Sequence, residues 1–470
     1  MFTGYDIVWR VVLAALGPIC GGSLKLRRKV AKALRERSGN DVPQVRRAGS
    51  AAGPCVMIHA VSLGEINATR ALVARLAAVR GELRFLVTVT TDTGTARARE
   101  LYGTDPKVTL ARYPMDLSGP IGRLLDRQRP AAVVLMELEV WPNFISHCAR
   151  RGIPVLLING RVTGSSYRNY RLGGWLVRRM FGRLAEVCVQ DAEYAERFRA
   201  LGARPDVLRV TGTMKFDTAQ VGDRVAGDVE LAAAVGLRFG GGPIWVCGST
   251  GPGEESIVLS AYRQLSLAHP TLRLVIVPRH PERFDGVADL IARAGMVVVR
   301  RSRTLGGTSP LAVAAGDDAA PSGSSAGPLP VVLGDTMGEL RKFYALADVV
   351  LVGRTLVDLG HRQRGSDMIE PAALGKPVVV GPWTHNFADA MSQLRRADGI
   401  VEAKPAAAGQ AQVVAAVVGA VGAILADRPA ATAMGTRARQ TVRSQQGATA
   451  RHVEVILAHL PAPATPVAAE

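Results

Sequence analysis

Short apolar runs alternate with amphipathic stretches along most of the chain, and this alternation predicts stacked βα units. The first series begins near Pro54 and ends near Asp217. A second series begins at Pro243 and includes 348–352, whose DVVLV sequence is typical of a strand buried on both faces. We therefore predict an α/β protein with two doubly wound parallel sheets, because repeated βα units cover both faces of a sheet with helices.

The same pattern predicts the domain boundaries. We place an N-terminal domain at 50–220, a C-terminal domain at 240–445 and a loose tail at 460–470. Residues 302–330 are rich in Gly, Pro, Ser and Ala and lack periodicity, so we predict a flexible surface loop there. Three helices are predicted near the end of the chain, at 409–426, 429–445 and 448–459.

The segment 1–40 has a different pattern. The uncharged, largely apolar stretch from Val11 to Leu24 is shorter than the roughly 20 residues that a transmembrane helix needs. Basic residues follow it, whereas a secretory signal carries its positive charges first. An apolar stretch beside a basic helix suits the cytoplasmic face of an anionic membrane, so we predict a membrane-associated helix. The alternative is a buried first helix with a solvated basic face.

The net charge and the cysteines of the chain limit the classes of function that the sequence allows. The chain has 58 Lys and Arg against 40 Asp and Glu, and the resulting net charge of +18 implies an anionic partner. Nucleic acid is disfavoured because no zinc-finger spacing or aromatic-basic sheet motif is present. The five cysteines are scattered without a CxxC motif and are predicted to be reduced, buried core residues.

Acidic residues follow two predicted strands of the first series. Glu65 lies at a helix entry, where the helix dipole is expected to lower its pKa and keep it ionised as a base, and Gly64 is expected to permit a tight turn. The alternative role for Glu65 is a charge that only stabilises the helix. Glu137 and Glu139 end another strand, a place suited to chemistry and unsuited to a core. Two basic residues also follow strands, Arg161 and Lys215.

The second series carries groups that suit a nucleotide. The sequence GSTGPG at 248–253 leaves backbone N–H groups for phosphate, although no GK[ST] follows as in a P-loop. Arg279 at a strand tip can grip phosphate with two donors. Glu370 can accept hydrogen bonds from ribose hydroxyls, or it can merely stabilise a helix whose first residue is predicted to be Pro371. No GxGxxG fingerprint and no metal-ligand spacing are present, so a metal-free mechanism is expected.

The motifs, taken together, resemble those of the 3-deoxy-D-manno-octulosonic acid (Kdo) transferases of lipopolysaccharide assembly. The resemblance covers about residues 1–440 and rests on the order of HAVSLGE, TVTTDTG, ELEVWPN, NGRVTGSSY, VTGTMKFD, GSTGPGEE, VPRHPERF, DTMGEL, ADVVLVG, EPAALGKPVVVGP and NF. It implies a GT-B glycosyltransferase fold with two Rossmann-like domains facing a cleft. It also implies an inverting transfer from CMP-Kdo to a lipid A precursor of the lipid IVA type, without a metal or other cofactor.

The resemblance assigns roles to particular residues. Glu65 matches the general base, and Glu139 and Lys215 match positions that support the transition state. The CMP-binding positions match Pro278, Arg279, Met337, Gly338, Glu339, Asp367, Met368, Ile369 and Glu370, with Glu370 on the ribose. Further candidate substrate contacts are Ser62, Gly64, Arg161, Ser249 and Thr250.

One segment departs from the family pattern. Where the family reads GGSLV…GGHNxxEP, this chain reads GRTLVDLGHRQRGSDMIEP, so that Asp367 replaces an asparagine. An aspartate cannot donate the hydrogen bonds of an amide, although Arg362 and Arg364 can offset its charge. Two alternatives remain open: a GT-B enzyme that uses a UDP-sugar on a membrane lipid, and a non-enzymatic protein that binds a membrane or another anion.

Overall fold

The computed structural model describes residues 4–7, 32, 35–39, 53–237, 241–304, 329–360 and 365–463. The chain divides into two compact units. The first runs as far as Thr218 and resumes at Gln445, and the second is Ala219–Ser444.

In the described part of the first unit, seven parallel strands form one sheet. They are β1 (Cys55–Ala60), β2 (Arg84–Val89), β3 (Val108–Arg112), β4 (Ala132–Met136), β5 (Val155–Gly160), β6 (Glu186–Val189) and β7 (Leu208–Val210). Their order is β3-β2-β1-β4-β5-β6-β7, so the winding direction reverses between β1 and β4. Ligands of such sheets bind at the carboxyl ends of the strands beside this switch point.

Helices cover both faces of this sheet. They are α1 (Leu63–Val79), α2 (Asp92–Tyr102), α3 (Ser118–Gln128), α4 (Pro142–Arg150), α5 (Gly164–Leu172), α6 (Gly174–Phe181) and α7 (Ala192–Ala200). Strands β1 and β4 are buried along their whole length, as expected for a parallel sheet covered on both sides. Helix α1 buries Ile66, Leu72 and Leu76, spaced so that they lie on one side of the helix.

The end of the chain returns to the first unit, which the sequence pattern did not indicate. Its last helix, here named the C-terminal helix (Ala448–Ala458), packs against α1. The carboxylate of Asp217 accepts the backbone N–H groups of Gly447 (2.6 Å) and Thr449 (2.5 Å) at the start of this helix. The buried His452 lies with its Nε2 atom 2.9 Å from the hydroxyl of Thr211.

The described residues of the second unit also form a sheet of seven parallel strands. They are β8 (Ile244–Thr250), β9 (Arg273–Pro278), β10 (Val297–Arg300), β11 (Pro330–Leu333), β12 (Val349–Val352), β13 (Val378–Val380) and β14 (Val401–Glu402). Their order is β10-β11-β9-β8-β12-β13-β14, so the switch point lies between β8 and β12. Most of the loop predicted at 302–330 lies outside the described residues.

The helices of the second unit are α8 (Asp228–Ala234), α9 (Glu254–Ala268), α10 (Phe284–Arg293), α11 (Leu340–Leu346), α12 (Ile369–Ala373), α13 (Ala388–Arg396), α14 (Gln410–Ala426) and α15 (Arg428–Gln445). The C-terminal helix (Ala448–Ala458) of the first unit follows them in the chain as α16. Helix α14 packs against α9, which explains its Ala- and Val-rich sequence. The helices predicted at 409–426, 429–445 and 448–459 are confirmed within one residue at each end.

Most of the predicted N-terminal membrane segment lies outside the described residues. Residues 4–7 are helical, and the Asp6 carboxylate accepts hydrogen bonds from the Ser118 N–H (3.0 Å), the Ser118 hydroxyl (2.6 Å) and the Asn143 side-chain amide (2.9 Å). In the described parts of the chain, no single helix is long and apolar enough to cross a membrane. The pair α14 and α15–α16 passes that test only jointly and is bent by 102°. Cys55, Cys148, Cys188 and Cys247 are buried free thiols, as predicted.

Candidate active site

Glu65 lies beside the switch point of the first sheet, in the first turn of α1 directly after β1. Ser62 is the N-cap of a capping box: its hydroxyl oxygen accepts the Glu65 N–H at 3.3 Å, and the Glu65 carboxylate accepts the Ser62 N–H at 3.3 Å. The Ser62 hydroxyl also donates to the Glu65 carboxylate at 2.7 Å. The backbone N–H of Val61 donates to the other Glu65 oxygen at 2.9 Å. The carboxylate therefore stabilises the helix start, and it is at the same time held rigidly at the strand tip.

The expectation of a lowered pKa at Glu65 is wrong. Burial raises its pKa, and the charge of Glu139 acts in the same direction, whereas the hydrogen bonds from Val61 and Ser62 only partly oppose this. A raised pKa brings a carboxylate closer to the value that suits a general base. Gly64 also differs from expectation: it is an ordinary helical residue, and a Cβ atom there would meet only the Ser62 hydroxyl oxygen, at 3.9 Å, so it makes no tight turn.

Glu139 follows β4, the other strand of the switch point. The indole N–H of Trp141 donates to its carboxylate at 3.0 Å, and the Nε2 atom of His59 lies 3.9 Å from the same oxygen. Burial raises the pKa of Glu139, but these contacts outweigh it and the net shift is downward. Because Glu139 in turn raises the pKa of Glu65, the structure brings these two predicted residues close enough to interact electrostatically.

His59 was not identified by the sequence reasoning, although a histidine within the apolar strand CVMIHA is a usable signal. Its ring is fully buried and stacks on Tyr113 with 3.8 Å between ring centroids. Its Nδ1 atom lies 3.1 Å from both the carbonyl and the hydroxyl oxygen of Thr88. Burial lowers the pKa of His59, which favours a neutral ring beside Glu139.

Lys215 and Arg161 follow other strands of the same sheet. Lys215 lies in a 3₁₀ turn, Met214–Thr218, which packs against α1, the helix of Glu65. The Asn159 side chain fixes this turn by accepting the Met214 N–H at 3.1 Å. Arg161 comes directly after β5, and its N–H points to the carbonyl of Glu137 at 3.4 Å. Both cations are half-buried near the carboxyl ends of the strands.

The switch point of the second sheet is held by one buried carboxylate. Glu254 begins α9, and its two oxygens accept backbone N–H groups from both strand exits, those of Gly251 (2.7 Å), Arg354 (2.6 Å), Thr355 (2.8 Å) and Leu356 (2.8 Å). The glycine-rich loop after β8 is therefore tied to the loop after β12. One N–H group of the predicted phosphate loop, that of Gly251, therefore already has an acceptor, and the phosphate site itself stays a prediction.

Thr250 and Ser249 are buried within this junction. The Thr250 hydroxyl donates to Glu255 at 2.7 Å, and Arg283 forms a bidentate ion pair with the same carboxylate at 2.8 and 2.7 Å. Ser249 has a left-handed backbone (φ 56°), and its carbonyl accepts the hydroxyl of Ser366 at 3.3 Å. The hydroxyl of Thr250 is thus already hydrogen-bonded within the protein. The role of both residues as substrate contacts stays a prediction.

Charged groups gather around this second switch point. Pro278 ends β9 and is buried, whereas the next residue, Arg279, is exposed. Arg354 follows β12 with φ 60°, and its pKa is lowered by burial and by the neighbouring charge of Arg279. Burial and the charge of Asp367 raise the pKa of Glu370, while Arg341 and Arg279 oppose the shift. Arg354 was missed in the sequence, although an arginine two residues after a buried strand is a signal.

The other predicted nucleotide-binding residues differ in how exposed their side chains are. Met337 is exposed and Gly338 has φ 83°, so this turn can offer backbone N–H and C=O groups to a ligand. The Glu339 carboxylate forms a bidentate ion pair with Arg301 at 2.9 and 3.2 Å, and although burial opposes it, this pair contributes to the lowered pKa of Glu339. The side chain of Glu339 therefore has a structural role.

Residues 367–370 enter α12. Asp367 is exposed, and its Oδ1 atom accepts the N–H of Ile369 at 2.8 Å. The side chains of Met368 and Ile369 are buried, so only their backbone can contact a ligand. Pro371 is the third residue of the helix and not the first, as had been predicted. Arg362 and Arg364, expected to offset the charge of Asp367, lie outside the described residues.

Several known proteins are similar in sequence to this chain. A family model described as 3-Deoxy-D-manno-octulosonic-acid transferase (kdotransferase) matches residues 32–218. The 3-deoxy-D-manno-octulosonic acid transferase of Haemophilus influenzae is 30% identical over 86% of this chain and 87% of its own length. The transferase of the same name from Bordetella pertussis is 36% identical over 71% and 73%, respectively.

A solved structure is similar in fold alone. The glycosyltransferase from Rickettsia africae is 11% identical, covers 86% of this chain and 98% of its own, and has a TM-score of 0.51. Together with the two parallel sheets and their alternating helices, this similarity confirms the predicted GT-B fold. Among the residues that the structure describes, no group of three His, Cys, Asp or Glu side chains could hold a metal ion.

Proposed function

The chain belongs to the 3-deoxy-D-manno-octulosonic acid transferases, and we propose that it transfers Kdo from CMP-Kdo to a hydroxyl group of a lipid A precursor. It is a glycosyltransferase, as its relatives are. The observation that carries the finer proposal is the pair Glu65 and Glu139, which come from the two strands of one switch point and interact electrostatically. A hydroxyl nucleophile needs a nearby carboxylate base, and a switch point is where an α/β sheet holds its ligand.

In the proposed step, Glu65 accepts the proton of the acceptor hydroxyl while that oxygen attacks the anomeric carbon of Kdo. The new C–O bond forms as the bond from the anomeric carbon to the CMP phosphate breaks, so the configuration inverts and CMP leaves. The raised pKa of Glu65 supports its role as a base. Glu139, whose pKa is lowered, stays ionised and can stabilise positive charge that develops on the sugar.

The leaving CMP needs positive charge on its phosphate. Arg279 and Arg354 suit this task, because they follow the two strands that flank β8 and because the charge of Arg279 acts on the pKa of both Arg354 and Glu370. Glu370, which is half-buried at the start of α12, would accept hydrogen bonds from the ribose. We propose that these cations act without a metal ion, so that transfer continues in the presence of EDTA.

The lipid acceptor sets the place of the reaction. We propose that the enzyme works on the cytoplasmic face of the inner membrane and that the apolar and basic segment 1–40 associates with that membrane. The net charge of +18 favours an anionic surface.

The deciding experiment measures transfer from freshly made CMP-Kdo to a tetraacylated lipid A precursor, with mass detection of the product. The wild-type protein should add Kdo, and Glu65→Gln should be slower by a factor of about a hundred or more. Glutamine preserves the capping box, so loss of activity would not reflect loss of the helix start. If UDP and not CMP competes with the donor, the proposed donor is wrong. If Glu65→Gln keeps full activity, the proposed base is wrong.

A further inference from the structure

A cationic and apolar surface stands out on the first unit. We define the α5–α6 patch as Arg168, Arg171, Leu172, Trp175, Arg178 and Arg179, all of which are exposed. Leu172 is 87% exposed and Trp175 is 72% exposed, although side chains of this size are normally at least half-buried. The sequence from Gly164 to Arg183 contains five arginines and no acidic residue.

The exposure of this patch follows from how α6 packs. Val177, Met180 and Phe181 belong to the core of the first unit and Leu176 packs against it, whereas Trp175, Arg178 and Arg179 are exposed. Helix α5 buries no residue at all in the described structure. The two helices thus hold an indole and a leucine rigidly in solvent, where they cost free energy unless something apolar covers them.

The arginines of the patch favour binding of an anionic partner. The pKa of Arg183 is lowered by partial burial and then by the neighbouring Arg179 and Arg150, so like charges crowd together here. The guanidinium of Arg171 lies 5.7 Å from the centre of the Tyr167 ring and has no acidic neighbour within its helix. Tryptophan and leucine flanked by arginines are the combination that inserts into the headgroup region of an anionic bilayer.

The patch is also connected to the proposed acceptor site. The hydroxyl of Tyr170, on α5, donates to the carbonyl of Leu138 at 3.3 Å, and Leu138 directly precedes Glu139. Tyr5, in the described residues 4–7, interacts electrostatically with Tyr170. A lipid bilayer held by α5 and α6 would therefore lie close to the strand tips that carry the proposed catalytic carboxylates.

We propose that the α5–α6 patch docks onto an anionic phospholipid surface, with Trp175 and Leu172 inserted among the headgroups and the arginines on the lipid phosphates. This contact is separate from the N-terminal segment and presents the membrane-embedded acceptor to Glu65. Presentation of the acceptor rests on the proposed function. Lipid binding by the patch does not, because it can be measured without any transfer reaction.

A fluorescent probe tests the contact directly. In the full-length chain with Cys20→Ser, the other cysteines being buried, Trp175→Cys is labelled with an environment-sensitive NBD group. Leu267→Cys, at an 83% exposed leucine of α9, is the matched control. With phosphatidylethanolamine vesicles that contain phosphatidylglycerol, the emission at position 175 should shift to the blue and intensify, whereas that at position 267 should not. High salt should weaken the response.

Four outcomes would overturn the proposal. The first is an unchanged emission at position 175 when the protein sediments with the vesicles. The second is an equal response to phosphatidylcholine vesicles, which would make the charge irrelevant. The third is a response that grows with protein concentration without lipid, which would identify a second copy of the chain as the partner. Failure of the protein to bind vesicles at all would also reject it.

Kinetics separate this proposal from the proposed function. The triple variant Arg171→Gln, Arg178→Gln, Arg179→Gln should raise the KM for a vesicle-embedded acceptor roughly tenfold or more and leave transfer to a water-soluble, deacylated acceptor unchanged. The control for net charge replaces three exposed arginines of α1 and α2, namely Arg70, Arg75 and Arg99. If neither acceptor is used by the wild type, the proposed function fails, while the probe still decides whether the patch binds lipid.

Discussion

The buried ring of His59 faces the carboxylate of Glu139, with 3.9 Å between Nε2 and the nearer oxygen. At this distance the contact is electrostatic and not a hydrogen bond. His59 belongs to β1 and Glu139 follows β4, so the contact joins the two strands at which the sheet reverses its winding. The contacts of Glu139 with His59 and Trp141 favour its ionised form, and its charge adds to the effect of burial in raising the pKa of Glu65.

Replacing Glu139 should shift the pH dependence of transfer. Glu65 must be deprotonated to act as a base, so kcat/KM should rise with pH through the pKa of Glu65. Glu139→Gln removes a negative charge that raises this pKa, and the acid limb of the profile should therefore move to lower pH while the maximal rate falls. Glu137→Gln, at the same strand tip, is the control and should leave the limb in place. An unmoved limb in Glu139→Gln would show that the two carboxylates are not coupled.

Replacing Ser62 should shift the same limb in the opposite direction. The Ser62 hydroxyl donates to the Glu65 carboxylate and lowers its pKa, so Ser62→Ala should move the acid limb to higher pH. It should also lower the free energy of unfolding by about 1 kcal/mol, because the N-cap of α1 is lost. Ser62→Thr retains the cap and should behave like the wild type. A shift to lower pH in Ser62→Ala would contradict the hydrogen-bond pattern.

The strands were predictable because of their environment. A parallel strand that is covered on both faces is a continuous apolar run, and β8 and β12 were visible as such in the sequence. The positions of Glu65 and Glu139 at strand tips followed from the same reasoning. The return of the last helix to α1 did not, because its anchor on Asp217 is a contact between residues more than 200 positions apart.

The electrostatics of the site were less predictable than its residues. The helix dipole alone suggested a low pKa for Glu65, but burial and the neighbouring Glu139 depend on the tertiary structure and reverse the sign. Likewise, the glycine-rich loop after β8 predicted free N–H groups for a phosphate, whereas in the structure the N–H of Gly251 donates to the carboxylate of Glu254. Sequence patterns indicate which residues lie at a sheet edge, and only the fold determines what surrounds them.

Glu254 should be important for stability. Its carboxylate accepts backbone N–H groups from the loops after β8 and β12, and it is fully buried. In Glu254→Gln, the amide N–H₂ would face N–H donors, so some of these groups would lose their acceptor and the free energy of unfolding should fall by about 3 kcal/mol. Urea unfolding measures this, and the exposed Glu282→Gln should change stability by less than about 0.5 kcal/mol. Equal stability of the two variants would contradict the role of Glu254.

Arg354 should recognise the phosphate of CMP and not its nucleoside. Burial and then the charge of Arg279 lower the pKa of Arg354, and a phosphate bound beside Arg354 would favour its charged form. Arg354→Gln should therefore weaken CMP binding about tenfold or more, by the loss of a charge-assisted hydrogen bond of about 1.5–3 kcal/mol, and leave cytidine binding unchanged. Calorimetric titration with both ligands makes the comparison, with the exposed Arg293→Gln as the control. If both ligands weaken equally, Arg354 acts on the shape of the loop after β12, which Glu254 also holds, and not on the phosphate.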